Sequence, residues 1–558
     1  MLSVILLDKS METIKQHIAQ VCQRLYGVNV EVELAIPEEK FGDYSSNIAL
    51  KLAKQVGQPP REIAQAISAE LADSSIASSE IAGPGFINMT LHPSALVDEA
   101  ASYRSKQKRD EPIVIETNNP NPFKAMHVGH GYNSIVADAV ANLLDQAYSN
   151  VHRVSYHGDV GLHVGKSMYS ILRYVDGDPK KLEKLPAGER NSFMSQMYAE
   201  GSRAYTEDET AKDEIQQLAE QSFTLDDPLY KQVYDICKQW SFTDIDALVE
   251  RLGNKPIKKR YLESQTDPVG VAIVREHTPS VFMESDGALV FPGEKYGMFD
   301  NAFVSSRGRG LYGARDLGLM KLKRDDYQPA KSYMVTAHEQ KDYFRGVIKA
   351  VELCFPDQAG VMVNIATGEV VLRGGKMSSR SGDVIEVHYL FDQIEAALSE
   401  QGVNASGEVV QGAIRYQFLK HRISSNIVFD INESITTQGN SGPYLQYAHA
   451  RACSLMAKSS TMTSIEAITQ ADINDDERQL LRKVSHYASV LEQATYDLSP
   501  HVICTYLYEL SQVYNRFYEH NRVIGHEREA IRLAIVSLYR DVLHHGLSVL
   551  GIPAPERM

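Results

Sequence analysis

A short β-branched run, Ile113-Val114-Ile115, followed by Asn118-Asn119-Pro120-Asn121-Pro122, constrains this chain more than any other stretch. The run favours a strand. The Asn/Pro segment cannot continue as a helix. Apolar residues then recur at helical spacing: Ile135, Val136, Ala139, Val140, Leu143 and Leu144. Residues 151–156 predict a second strand. Strand, turn, helix and parallel strand form the unit from which nucleotide-binding sheets are built. The turn carries Lys124-Ala125-Met126-His127-Val128-Gly129-His130, so both histidines fall where a helix begins. Free N–H groups and the helix dipole attract anions there. Gly129 presents no Cβ to an approaching phosphate or ribose.

Gly374-Gly375-Lys376-Met377-Ser378-Ser379 is the second informative stretch. Lys376 offers a point charge to phosphate, and Ser378 and Ser379 offer hydroxyl donors. An ordinary polar hairpin has a similar composition. No Walker-type phosphate loop is present. A metal pair at His127 and His130 would need further ligands at matching spacing, and the chain has no Cys-x-x-Cys. In this order the two stretches predict the halves of an ATP site that activates a carboxylate by adenylation.

These stretches resemble the "HIGH" and "KMSKS" motifs of class I aminoacyl-tRNA synthetases. Further segments narrow the resemblance to the arginyl-tRNA synthetase family. They are Glu116-Thr117-Asn118-Asn119-Pro120-Asn121 with Lys124, Val154-Ser155-Tyr156-His157-Gly158-Asp159-Val160-Gly161, and Tyr312-Gly313-Ala314-Arg315-Asp316-Leu317. Glu263-Ser264 and the ending Leu550-Gly551-Ile552-Pro553-Ala554-Pro555-Glu556-Arg557-Met558 are also similar to that family. The resemblance spans nearly the whole chain.

The resemblance implies an arginine–tRNA ligase that forms an arginyl-adenylate and passes arginine to the 3′ end of tRNA(Arg). It implies catalytic roles for His127, His130, Lys376 and Lys124, and ATP contacts from His127, Gly129, His130, Lys376, Met377 and Ser378. Arginine would be held by Glu116, Asn121, Tyr312, Asp316 and Gln340. A planar guanidinium wants a carboxylate and neutral acceptors in a fixed fork. Tyr312 and Asp316, four residues apart, share a helical face. The alternative for Asp316 is a salt bridge to a neighbouring basic side chain. Phe86 and Asn88 would stack on and read a base of the tRNA elbow; the alternative makes Phe86 core and Asn88 a strand-end hydrogen bonder. The second lysine of KMSKS is missing, with Ser379, Arg380 and Ser381 in its place. Lys124 and Arg380 compete to replace it. Mg²⁺ would accompany ATP, and no structural metal is expected.

At 558 residues the chain is too long for one core and predicts three or four domains, of which three are delimited. Residues 1–105 form an N-terminal α+β module, with a helix over 11–26, a strand over 30–34 and a further strand over 86–89. Residues 111–390 form a Rossmann-type α/β catalytic domain with a parallel sheet and an insertion at about 170–300. Residues 391–558 predict an all-α helical bundle, which the resemblance implies binds the anticodon. Residues 102–111 predict a linker.

The net charge of −15 argues against a generally basic nucleic-acid binder. Local basic faces such as residues 255–260 and 415–422 can serve tRNA on an otherwise acidic protein. Five scattered cysteines fit reduced thiols, and no stretch reaches membrane length, so a cytoplasmic protein is expected; a monomer is expected as well. A non-catalytic tRNA-binding paralogue and a small-molecule adenylating enzyme are the competing functions. The intact motif residues disfavour the first, and the two terminal domains disfavour the second.

Overall fold

The computed structural model describes residues 9–71, 75–373, 385–403, 405–460, 464–469 and 472–558. By contact these residues form two compact units, one of residues 108–436 and one that joins residues up to 107 with 437–558.

The 108–436 unit is built on five strands: β1 (Ile113–Glu116), β2 (Val151–His157), β3 (Lys259–Leu262), β4 (Lys331–Ala337) and β5 (Met362–Thr367). They hydrogen-bond in the order β5-β4-β1-β2-β3, every pair parallel. The expected unit is present: α1 (Val128–Ala147) crosses between β1 and β2. Ile113, Val114 and Ile115 are all fully buried, as a strand covered on both faces requires. From β1 the chain moves outward to β2 and β3, then returns to place β4 on the other side of β1. This reversal is the switch point at which open α/β sheets leave a crevice at the carboxyl ends of their strands.

Two helices bring the β3 side to that crevice. They are α2 (Glu263–Glu276) and α3 (Tyr312–Tyr327). Their backbones nearly touch: a Cβ on Gly270 would meet the carbonyl oxygen of Ala314 at 1.7 Å, and one on Gly318 that of Thr266 at 2.2 Å. Only glycine permits such an approach. Between β2 and β3 runs a helical insertion that includes Leu162–Val175, Arg190–Glu207, Glu209–Thr224 and Pro228–Arg251. It has its own core of Val164, Met168, Ile171, Met197 and Tyr234. Helices Val387–Glu400 and Gly407–Leu419 also belong to this unit, although the sequence starts its terminal bundle at 391.

In the other unit, strands Tyr44–Ser46, Phe86–Leu91 and Ile76–Ala82 form an antiparallel sheet in that order. The expected strand at 30–34 is absent. Its alternation buries Val32, but among the described residues the segment has no ladder partner, and pairing there is limited to a single bridge between Ala35 and Ser45. A strand needs a neighbour as well as a pattern. The helical part includes Gly442–Ala457, Asp475–Ser485, Tyr487–Tyr496, Pro500–His520 and Glu529–Val549. Asp43, buried beside the sheet, is gripped by Arg478 and Arg482 of the helical part. Residues 102–107 are not a free linker: Arg104 pairs with Asp541, Lys106 with Glu492, and Tyr103 packs edge-on against Tyr487.

All five cysteines are free. Among the described residues, no helix is long and apolar enough to cross a membrane.

Candidate active site

The crevice at the ends of β1, β2 and β4 contains a cavity of about 410 Å³. Six of the expected site residues line it: Glu116, Asn121, His130, Tyr312, Asp316 and Gln340. Glu116 ends β1, Asn121 lies in the Asn/Pro turn, Tyr312 and Asp316 lie on the first turns of α3, and Gln340 precedes α4 (Lys341–Cys354).

Asp316 is the most informative of them. It accepts a hydrogen bond from the Tyr343 hydroxyl at 2.7 Å. Its basic neighbour, Arg315, is engaged elsewhere, on Glu263 at 2.6 Å and Asp267 at 3.2 Å. No described Lys, Arg or His forms an ion pair with Asp316, so the expected alternative of a local salt bridge does not hold. Burial, with the charges of Glu116 and Glu263, pushes its carboxyl up to about 7 against the opposing pull of Tyr343 and Lys323. Such a carboxylate is poised for a cation. Tyr312 stands one turn away and is 69% exposed at the mouth.

Glu116 and Asn121 are already oriented. Glu116 forms a buried ion pair with Lys323 and accepts from Asn119 Nδ2 at 2.6 Å. Asn121 Oδ1 accepts from Gly158 N at 2.8 Å, which leaves its amide N–H groups as the donors toward the cavity. Glu263 also lines the cavity, and burial raises its carboxyl despite Arg315. Asp159 fastens the start of α2, accepting from Ser264 N at 2.9 Å and Ser264 Oγ at 2.8 Å.

On the other flank, His127 caps α1: its Nδ1 accepts from His130 N at 3.3 Å. The two imidazoles stack with centroids 3.5 Å apart. Burial and the nearby Lys124 depress His127 to about 4 and His130 well below its ordinary value. Both rings are therefore neutral at pH 7, and they can serve a phosphate as N–H donors but not as cations. His130 Nδ1 is buried and has no hydrogen-bond partner among the described residues. Gly129 also leaves room for its own turn: a Cβ there would lie 3.1 Å from the His127 ring, which would have to shift slightly. Lys124 lines a second cavity instead. Lys376, Met377 and Ser378, with Ser379, Arg380 and Ser381, lie outside the described residues.

In the other unit, Phe86 and Asn88 sit on the solvent side of their strand, while Ile87, Met89 and Leu91 face the core. Phe86 is 38% exposed, so it is not a core residue.

The two basic segments are largely neutralised. Arg415 is fully buried and bonds Asp138 at 2.7 Å, Asn254 at 2.7 Å and the Leu252 carbonyl at 2.9 Å. Lys255, Lys259 and Arg260 pair with Asp145, Asp326 and Asp246.

Sequence reasoning missed Tyr343 and Lys323 at the site. Lys323 had one local signal: it falls on the buried face of α3, with Leu319 and Met320 one turn earlier. Tyr343 had none, because its partner is 27 residues away on another helix.

Residues 92–431 match the family model described as tRNA synthetases class I (R), catalytic domain. Residues 12–91 match the arginyl tRNA synthetase N terminal domain, and residues 445–558 match the DALR anticodon binding domain. The arginine–tRNA ligase of Bdellovibrio bacteriovorus is 29% identical, over 94% of this chain and 93% of its own. That of Haemophilus influenzae strain PittEE is 29% identical, over 93% and 94%. The solved arginyl-tRNA synthetase of Thermus thermophilus superposes with a TM-score of 0.79 at 24% identity, covering 98% of this chain and 100% of that one. The Plasmodium falciparum structure gives 0.77 at 19%, covering 100% of both.

Proposed function

The chain belongs to the arginyl-tRNA synthetase family of class I ligases, and from that premise we propose how its residues divide the ligation of arginine to tRNA(Arg). The guanidinium enters the 410 Å³ cavity and meets Asp316 and Tyr312, with Gln340 at the mouth. Asn121 and Glu116 face the α-amino end. Glu116, although it also carries Lys323, offers carboxylate lone pairs that accept from the ammonium, and the second lone pair of Asn121 Oδ1, beside the one engaged by Gly158 N, accepts with it.

His127 and His130 donate N–H groups to ATP phosphates at the start of α1, where the orphaned Nδ1 of His130 supplies an unused site. The α-carboxylate of arginine attacks the α-phosphorus and pyrophosphate leaves, giving arginyl-AMP. Lys124 and Lys376 offset charge on the departing pyrophosphate. A ribose hydroxyl of the terminal adenosine of tRNA then attacks the arginyl carbonyl, and AMP leaves. Positioning and charge neutralisation carry both steps.

Among the described residues no group of three or more His, Cys, Asp or Glu could hold a metal ion. Mg²⁺ in this reading arrives on the ATP phosphates, and no step here is routed through it. Phe86 and Asn88 offer a ring and an amide to an unpaired base of tRNA. The enzyme works as a cytoplasmic monomer.

The observation that carries the substrate assignment is Asp316, a carboxylate at the cavity wall with no ion-pair partner among the described residues. A non-catalytic relative would have no need to keep it so. The test is to charge total tRNA with each amino acid in turn. Arginine alone should become attached. Lysine brings a point charge that leaves the fork unpaired, and charging with lysine equal to arginine would refute the assignment.

A further inference from the structure

The one tryptophan of the chain, Trp240, stands in the wall of a second cavity of about 200 Å³. The Arg190 guanidinium lies over its ring, 4.7 Å from the centroid. Lys124, Asn191 and Asp244 line the same space. Asp244 Oδ1 is held by His388 Nε2 at 3.0 Å, while Oδ2 has no hydrogen bond among the described residues. Lys124 marks the side nearest the reaction, because its charge depresses both His127 and His130.

This set of groups has the chemistry of a base pocket. A flat ring extends a stack of indole and guanidinium. A carboxylate oxygen accepts from the exocyclic amine of cytosine. The Asn191 amide donates to a ring carbonyl or nitrogen. The cavity has about half the volume of the one assigned to arginine. It suits one small base and not a whole nucleotide.

We propose that this cavity receives the cytosine that precedes the terminal adenosine of tRNA, stacked on Arg190 and Trp240 and read at its amino edge by Asp244. The proposal rests on the assignment above, since only an enzyme that charges tRNA must guide a single-stranded 3′ end past Lys124. Seating the penultimate base would fix the direction in which the terminal ribose enters, while arginine and ATP occupy the first cavity.

The lone tryptophan makes the test direct. The full-length protein is titrated with intact tRNA(Arg), with the same tRNA lacking its last two nucleotides, and with ATP alone, while Trp240 fluorescence is followed. Intact tRNA should quench it, and the truncated tRNA, shown to bind by competition, should not. Arg190→Ala and Asn191→Ala should each raise the KM for tRNA about tenfold, with the KM for arginine retained. Trp240→Phe, which keeps a ring, should charge tRNA with a near-normal KM. Absence of quenching by intact tRNA, equal quenching by both tRNAs, quenching by ATP alone, or a wild-type tRNA KM in Arg190→Ala would overturn the proposal. Arginine charging by the wild-type protein, measured in parallel, separates the cases: charging without quenching defeats this pocket alone, and no charging defeats the functional assignment itself.

Discussion

Tyr343 donates its hydroxyl to Asp316 Oδ2 at 2.7 Å, and so α4 holds the carboxylate that α3 presents to the cavity. Tyr343 makes no covalent chemistry available. It fixes one oxygen of Asp316 and opposes the rise in its pKa. Tyr343→Phe should therefore raise the KM for arginine roughly tenfold, as loss of one hydrogen bond to a charged group predicts, with kcat changed much less. A fall in kcat with an unaltered KM would place Tyr343 elsewhere in the cycle.

The pH dependence follows from the same pair. Burial raises the Asp316 carboxyl above its ordinary range, to about 7. Below that pH it binds a proton and is neutral, while the guanidinium stays charged. The kcat/KM for arginine should be full above about pH 8 and fall by about tenfold per pH unit once the pH is below 7. Tyr343→Phe removes an interaction that lowers the pKa, so its profile should break at higher pH. A flat profile between pH 6 and 8 would rule out Asp316 as the group that meets the guanidinium.

Lys124→Ala should slow arginyl-adenylate formation by about 2–4 kcal/mol of lost transition-state stabilisation, with the KM for arginine little altered. Single-turnover adenylate formation reads this directly. Arg380→Ala is the comparison. If it abolishes the rate while Lys124→Ala is harmless, the compensating cation is Arg380.

The double change Phe86→Ala, Asn88→Ala should raise the KM for tRNA with little shift in Tm, because both side chains stand on the solvent face of their strand. A large drop in Tm with an unaltered tRNA KM would remove them from RNA binding. Asp43→Ala in the same unit should behave in the opposite way. It leaves Arg478 and Arg482 without their shared carboxylate, which costs about 3–5 kcal/mol for a buried pair. Calorimetry should show that loss, with the arginine KM retained.

Local chemistry was legible in the sequence where a pattern is closed within a short window. Ile113 to Ile115 and the helix after His127 formed as predicted because burial on both faces and 3.6-residue spacing are local properties. The cavity gathers Glu116, Asn121, Tyr312, Asp316 and Gln340 from segments whose motifs had singled them out. Features that depend on distant pairing were not legible. The Lys323–Glu116 ion pair spans 207 positions and the Arg415–Asp138 pair 277, so a lysine and an arginine that look like solvated charges are core components. The 30–34 segment failed in the opposite sense, with strand alternation but no neighbouring strand among the described residues.

Asp43 and Arg478 are 435 positions apart, yet they close the same unit. During synthesis, Asp43 leaves the ribosome long before its counter-charges exist. The whole 108–436 unit is made in the interval and can fold as a separate body. The first-made module stays without its ionic latch until the helix Asp475–Ser485 has been translated, with three more helices still to come, so assembly of the two sequence ends is a late, high-contact-order step in the life of this chain.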